Sequence, residues 1–557
     1  MTGSDALLKA LSEQGVSVIF GNPGSTELPL MDALAAPGQP RFILGLTEST
    51  VMGMADGYAQ SSGQLGVALV HVQPGMANAM SGVLNAARSR VPLLVIVGQQ
   101  LSAMLPGAPF LGGEIVAMAA PIAAHAEEVH DPADLGNALS RAVAAALGPP
   151  MGPAVLSIPL ESQAGASPEL AVPPGAGRAL AAPDPAALDA AAGLLARATN
   201  PIILAGDGVT HAGACDALSA FASRIGAPVM GEPFGAMVPM ATDDPMWAGT
   251  VPRFAAGIRG TLEPYDVVLA LGMPVFRLFG WSPGPALPDG VRLIHADVDP
   301  RELGRTYTPE VGMVADPLAV LEALGTRVPA NPSRHGAVAQ HVARARSAEV
   351  AAYIARADAA GDSITGARLS QAIASGVQAD DLVVDEGLTS TRDLRTALGT
   401  RQPGSCLWHR GSALGWGLPA AVGASIADPS RRVVCIQGDG SLMFGVHALW
   451  TAASEGSRLA LVVGDNSGYE ILRAGMEGLT GMPDGGWPGL TVDSPRIDVA
   501  EICHGFGAST ARVDDPADLD EAIHDLIQRS DAGPAVLVAG VSGRTPPVGG
   551  PLDGALQ

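Results

Sequence analysis

"VVCIQGDGSLMFG", residues 433–445, runs an apolar, β-branched stretch into Gly438-Asp439-Gly440 and follows it at once with a second apolar segment. That order reads as strand, tight turn and helix. The turn then falls where open α/β sheets bind ligands, at the carboxyl ends of their strands. Glycines there let the backbone approach a bulky phosphate, and the helix N-terminus supplies N–H donors. A lone aspartate would repel that phosphate unless a hard cation lay between them. A second strand end, "LVVGDNSGYE" (461–470), carries Asp465-Asn466, and one further strand–helix–strand step sets Asn466 beside Asp439. A carboxylate, an amide oxygen and a loop carbonyl make an all-oxygen set suited to Mg²⁺, which keeps substrate phosphates as further ligands. Gly-Asp-Gly alone would read as a tight turn and nothing more; the asparagine at this spacing favours the metal.

Working outward, short β runs alternate with amphipathic helical stretches, the pattern of α/β folds with parallel sheets. The expected fold class is α/β, with three doubly wound parallel-sheet domains at residues 1–165, 186–330 and 360–545. The strands of the first are "VSVIFG", "FILGL", "GVALVHV", "PLLVIVG" and "AVLSIPL"; those of the second are "PIILAGDG", "APVMGE", "DVVLALG" and "VRLIHADVD". "DLVVDEG", "RRVVCIQGDG", "LALVVGDN" and "AVLVAGV" build the third. A Pro-, Gly- and Ala-rich stretch (161–185) reads as a linker, "PANPSRHG" (329–336) as a second boundary before an Ala/Arg helix, and "GRTPPVGGPLDGALQ" as a loose terminus. The first and third blocks share a strand, Gly-bearing turn, helix, strand pattern, which suggests two related domains facing one ligand.

Composition narrows the classes. The chain has 557 residues, 47% of them hydrophobic and only 16% charged, with a formal net charge of −23. Nucleic acids and anionic membranes need Lys/Arg patches, so neither is an expected partner. Cys215, Cys406, Cys435 and Cys503 lie far apart without CxxC spacing and read as free thiols of a reducing cytoplasm. The N-terminus has no signal-peptide pattern, and the longest apolar runs are too short to span a bilayer.

With Gly-Asp-Gly and its distant asparagine in view, the chain resembles the thiamine diphosphate (ThDP) enzymes of the acetolactate synthase and pyruvate decarboxylase branch. The resemblance covers nearly the whole chain: pyrimidine-binding, middle and diphosphate-binding domains. It implies ThDP and Mg²⁺ (or Ca²⁺) as cofactors, with Asp439, Asn466 and the Gly468 carbonyl on the metal. It places Gly438, Gly440, Ser441, Tyr469 and Thr389, with Ser390 as a softer match, around the diphosphate. "GWGLPAA" (415–421) also matches; Leu414 before it would wedge under the cofactor, and the Ser412 carbonyl would accept from the aminopyrimidine. FAD is not expected, because "ILAGDGVTHAG" (203–213) is no GxGxxG. Cofactor sites shared between two chains imply a homodimer at least, and a homotetramer in the fuller form.

Thiazolium chemistry needs one buried glutamate whose proton is shared with the pyrimidine ring. Glu48, in "GLTESTVMGMADGYAQ", follows a short strand and opens a small-residue helix. By itself it reads as a helix N-cap aid, whereas the resemblance makes it that activating glutamate. "VIFGNPGSTELPLMDAL" (18–34) looks more like benzoylformate decarboxylase than acetolactate synthase. It implies Ser25 on the substrate carboxylate, although Ser25 after Pro-Gly also makes a good helix cap. His71 ends a strand, a common place for a structural histidine; by resemblance it orients the substrate or relays protons. Asn78 matches as well.

One departure stands out. A second histidine of benzoylformate decarboxylase falls in the segment resembling "VFRLFGWSPG" (275–284), where this chain has Phe279, with Trp281 beyond it. Proton delivery is left to His71, water or another group. Phe279 and Trp281 hint at an aromatic or bulky apolar substrate. His409 and Arg410, just before the wedge segment, either face the substrate or serve surface or structural roles. The implied reaction is decarboxylation of a 2-oxo acid to an aldehyde, with capture by a second aldehyde giving a 2-hydroxyketone. The alternative is a carboligase or lyase like acetolactate synthase or 2-hydroxyacyl-CoA lyase. A non-catalytic protein of this fold is disfavoured by the intact Glu48, Asp439 and Asn466.

Overall fold

Among the described residues the apolar runs form three six-stranded sheets in which every strand pair is parallel. The structure is a computed structural model, and it describes residues 1–170, 172, 181–359, 361–408, 410–482 and 486–542. Part of the expected linker and the whole 543–557 tail therefore lie outside the described residues.

The first sheet comprises β1 (Val18–Asn22), β2 (Arg41–Leu44), β3 (Gly66–Val70), β4 (Leu93–Gln99), β5 (His125–Glu128) and β6 (Pro153–Pro159), in the order β2-β1-β3-β4-β6-β5. The second comprises β7 (Pro201–Ala205), β8 (Val229–Gly231), β9 (Trp247–Thr250), β10 (Val267–Leu271), β11 (Arg292–Asp297) and β12 (Val311–Val314). Its order, β12-β11-β10-β7-β8-β9, is that of a dinucleotide fold. The third contains β13 (Leu382–Glu386), β14 (Cys406–Trp408), β15 (Val433–Gly438), β16 (Leu459–Asp465), β17 (Ser509–Val513) and β18 (Ala535–Gly540). It runs β14-β13-β15-β16-β18-β17, the same path as the first sheet, so the weak likeness between those two blocks is a shared topology.

Central strands such as β3 and β4 are buried along their whole length, as helices on both faces require. Five strands, β5, β9, β12, β14 and β17, have no counterpart among the runs predicted from sequence, and each is a sheet edge. An edge strand is covered less completely, so its residues need not be apolar: β5 reads His-Ala-Glu-Glu and β17 Ser-Thr-Ala-Arg-Val.

The first and third sheets are joined by two helices, Glu48–Ser62 and Gly417–Ala427, that cross almost backbone to backbone. A Cβ on Gly57 would stand 2.0 Å from the Ala420 carbonyl oxygen, and one on Gly423 would stand 1.9 Å from that of Met54. Trp416 Nε1 donates to Asp56 Oδ1 at 2.9 Å beside this crossing. One hydrophobic cluster consequently runs from Phe20 and Val95 through to Val433 and Leu461. All four cysteines are free thiols, and burial pushes Cys406 up to about 11 and Cys503 up to about 12. Among the described residues no helix is long and apolar enough to cross a membrane.

Candidate active site

The sequence-predicted residues fall into two groups, each at the carboxyl ends of a sheet. In the third sheet, Asp439 follows β15 and Asn466 follows the neighbouring β16, with Gly438 and Gly464 in register. Asp439 is 6% exposed and opens a short helical turn over Gly440 and Ser441. Burial first, and then the Asp465 carboxylate, push Asp439 up to about 6, while the N–H groups of Gly440, Asn466 and Ser467 pull the other way. Asp465 itself is held low because Arg512 and Arg496 outweigh its burial, at 2.8 and 2.7 Å. Asn466 Oδ1 accepts from Gly468 N–H at 3.1 Å. Gly440 is required where it stands, since a Cβ there would meet the Tyr469 ring at 2.9 Å. Beside this turn lies a cavity of about 260 Å³ lined by Asp439, Gly440, Phe444, Ser467, Tyr469 and Ile497 among others, all of the third domain. A buried carboxylate with a like charge beside it, an amide oxygen and open space fit a divalent cation: the ion would supply the positive charge that Asp439 lacks.

Two further segments adjoin that turn. Ser390 packs against β16, where a Cβ on Gly464 would meet its Oγ at 2.6 Å, so the Thr389 loop adjoins the Asp439 turn. Glu386 is buried and accepts from Gly415 N–H at 2.9 Å and Gly417 N–H at 2.7 Å, while Gln437 Nε2 donates to it at 2.5 Å. Asn85 of the first domain holds Ala413 from both sides, donating to its carbonyl at 2.9 Å and accepting from its N–H at 3.1 Å. Ser412, just before these clamps, sits at φ +75°, and Leu414, between them, stands 37% exposed.

The second group belongs to the first sheet. Thr47 caps the Glu48–Ser62 helix by accepting from Thr50 N–H, so the cap does not depend on Glu48. Instead the Glu48 carboxylate accepts from Asn78 Nδ2 at 3.1 Å. Ser25 makes no cap bond; Glu27 takes that position by accepting from Gly24 N–H at 2.7 Å, and Ser25 is left exposed. His71 Nδ1 lies 2.8 Å from Glu27 Oε2 and 3.0 Å from Thr26 Oγ1, and Thr26 also donates to Glu27 Oε1. A Cβ on Gly24 would fall 2.3 Å from the imidazole, which is why the turn reads Gly-Asn-Pro-Gly. Sequence reasoning passed over Glu27, although it lies inside the quoted "GNPGSTELP" motif; Glu386 was likewise inside "DEGLTSTRD". Val72, Leu388, Ser412 and Ser467, four of the six non-glycine residues at positive φ, lie in these segments. Such strain gathers at functional sites.

The remaining candidates lie elsewhere. Phe279 and Trp281 are 46% and 52% exposed on the loop after β10, and Phe279 meets Phe254 edge to face at 5.7 Å. Arg410 does not face a substrate: its buried side chain pairs with Asp207 and, at 2.7 Å, with Glu232 of the second domain. Burial alone would raise both carboxyls; Arg410, with His211, holds Asp207 low, while Glu232 stays raised. This pair occupies the carboxyl ends of β7 and β8, next to a direct backbone contact between Gly208 and Gly272. His409 lies outside the described residues. Among the described residues no hydrogen bond or ion pair joins the Glu48 group to the Asp439 group.

Comparison with known proteins accounts for this layout. Residues 1–117, 188–324 and 389–539 match, in order, the N-terminal TPP binding, central and C-terminal TPP binding domains of thiamine pyrophosphate enzymes. A benzoylformate decarboxylase of Pseudomonas aeruginosa is 32% identical, over 94% of this chain and 96% of its own. The chain belongs to the thiamine pyrophosphate enzymes. A probable 2-ketoarginine decarboxylase of the same organism is 33% identical, over 94% and 91% of the two chains. The solved 4-hydroxybenzoylformate decarboxylase of Rhodococcus jostii superposes with a TM-score of 0.85 at 28% identity, covering 98% of this chain and 100% of that one. For this thiamine pyrophosphate enzyme, then, the two related sheets are its two cofactor-binding domains.

Proposed function

We propose that the protein decarboxylates a 2-oxo acid with an aryl or bulky apolar side chain, releasing an aldehyde, with carboligation to 2-hydroxyketones as a second outlet. The observation that carries this reading is the Glu27–His71 pair behind the exposed Ser25. Asp439, Asn466 and the Gly468 carbonyl would hold Mg²⁺ (or Ca²⁺), with Gly438, Gly440, Ser441, Tyr469 and Thr389 about the diphosphate. When bound, ThDP supplies the nucleophilic carbon and the electron sink for loss of carbon dioxide.

The chain's own residues then have distinct tasks. Glu48, oriented by Asn78, holds a proton on the cofactor's pyrimidine nitrogen. Ser25 Oγ donates to the substrate carboxylate. Glu27 accepts from His71 Nδ1–H, which fixes the tautomer and leaves Nε2 to accept and return a proton. With Phe279 where relatives carry histidine, His71 Nε2 is the proton donor that releases the aldehyde. Two separate half-sites in one chain fit a homodimer at least, in which each cofactor takes Glu48 from one subunit and Asp439 from the other. Inert free thiols fit a reducing cytoplasm.

The test is product analysis with ThDP and Mg²⁺. Carbon dioxide and benzaldehyde from benzoylformate, lost in Glu48→Gln, are expected. Acetolactate from pyruvate with no turnover of benzoylformate would overturn the reading in favour of the synthase alternative.

A further inference from the structure

Glu386, the last residue of β13, has no part in the chemistry above. It is 1% exposed and stands in register with Gln437, the residue before the Gly438-Asp439-Gly440 turn. Its two carboxylate oxygens divide their partners. Oε1 accepts from the N–H of Gly415, and Oε2 accepts from the N–H of Gly417 and from Gln437 Nε2. The carbonyl of the same residue accepts from Ser441 Oγ at 3.4 Å, inside the Asp439 turn. Among the described residues Gln437 Oε1 is buried without a hydrogen-bond partner, so the carboxylate's need for a donor orients that amide.

Helix capping alone does not account for this arrangement. Gly417 opens the Gly417–Ala427 helix, and a carboxylate on its N–H satisfies one orphan donor and suits the helix dipole. Gly415 lies outside that helix, at φ +86°, and the other oxygen holds its N–H. Backbone and carboxylate are also fitted to one another: a Cβ on Gly417 would stand 2.8 Å from the Glu386 Cβ and 3.0 Å from Oε2. Leu414, joined directly to Gly415, is thereby fixed from the third domain. Asn85 of the first domain fixes Ala413, and Arg410 ties the start of the segment to the second domain. A leucine left 37% exposed while its backbone is held on both sides has what a preorganised ligand contact requires.

We propose that Glu386 is a positioning residue for ThDP. Through the N–H groups of Gly415 and Gly417 it sets how far Leu414 projects under the cofactor's rings, and through its own carbonyl it keeps that projection in step with the Asp439 turn. The inference rests on the reading of Leu414 as the wedge beneath the cofactor. An amide in place of the carboxylate offers one oxygen to three N–H donors, so Glu386→Gln should let the wedge retreat and leave the Asp439 turn intact. Losing hydrogen bonds to a charged group should weaken the binding that depends on them by about tenfold or more.

The test titrates the full-length protein, by calorimetry, with ThDP and with pyrophosphate, each in Mg²⁺; pyrophosphate reads the Asp439 turn without the rings. The variants are Glu386→Gln, Leu414→Ala and Asp316→Asn. Asp316 is the matched control, a buried acceptor of two N–H groups, from Leu318 and Ala319, at the start of a second-domain helix. Glu386→Gln and Leu414→Ala should both weaken ThDP by about tenfold and leave pyrophosphate unchanged. Asp316→Asn should lower the thermal midpoint and move neither affinity. Glu386→Asp, which keeps the charge and draws the oxygens back, should show the same split less strongly, and it carries the test if the glutamine variant does not fold. Wild-type ThDP affinity in both Glu386 variants, with Leu414→Ala weakened, would overturn the proposal and leave the wedge standing. Unchanged affinity in Leu414→Ala would sink the wedge reading and the proposal with it. Equal losses of ThDP and pyrophosphate would assign Glu386 to the general fold of the domain and likewise overturn it.

Discussion

In the proposed reaction Glu48 and His71 divide the proton work, with Asn78 beside the first and Glu27 beside the second. Glu48 is free of capping duty because Thr47 performs it, and Asn78 turns the carboxylate. Glu48→Gln should lower the decarboxylation rate by about 10²–10⁴, the scale of general acid–base catalysis, with the protein still folded by circular dichroism. His71 depends on Glu27, so Glu27→Gln should reduce kcat by about tenfold or more and KM little. A change in KM alone would show that the pair only shapes the pocket. Glu48, His71 and Ser25 became candidates in the sequence because they stand in a motif. The sequence left Glu27 and Glu386 unread, because their partners are backbone N–H groups and a histidine brought from elsewhere in the chain by the fold. Arg410 stayed open between a substrate-facing and a structural role for the same reason: proximity to the wedge segment in sequence said nothing of Asp207 and Glu232, some two hundred residues earlier.

Elements are held in place by close approach and by that buried ion pair. The helices carrying Glu48 and the wedge segment touch through Gly57 and Gly423, where no Cβ fits. Gly57→Ala should destabilise by about 1–3 kcal/mol or more, the range for overpacking, seen as a lower thermal midpoint; no change would mean that the helices slide apart at little cost. The lock of Arg410 on Asp207 and Glu232 also faces His211, whose pKa burial lowers to about 4. The unfolded histidine takes up a proton near 6.5, so this contribution to stability is complete above about pH 6.5 and is lost as pH falls toward 4. The thermal midpoint of wild type should therefore fall more steeply from pH 7 to pH 5 than that of His211→Gln; parallel profiles would contradict it. At this scale the sequence revealed central strands and one edge strand, β2. Of the other five edges, β5, β9, β12 and β17 escaped because partial cover interrupts the apolar run that makes a strand readable, and β14, buried and apolar, because it is only three residues long.

Across the whole molecule, two domains of one topology present their strand ends, and among the described residues no hydrogen bond or ion pair joins the Glu48 group to the Asp439 group. In the proposed homodimer, Glu48 of one subunit and Asp439 of another serve a single cofactor. Co-expression of Glu48→Gln with Asp439→Asn, each inactive alone, tests it directly. A mixed dimer would carry one site with both defects and one with neither, so random pairing should restore about a quarter of wild-type carbon dioxide release from benzoylformate. Mixed dimers that bind ThDP yet recover no activity above the parents would contradict the shared site.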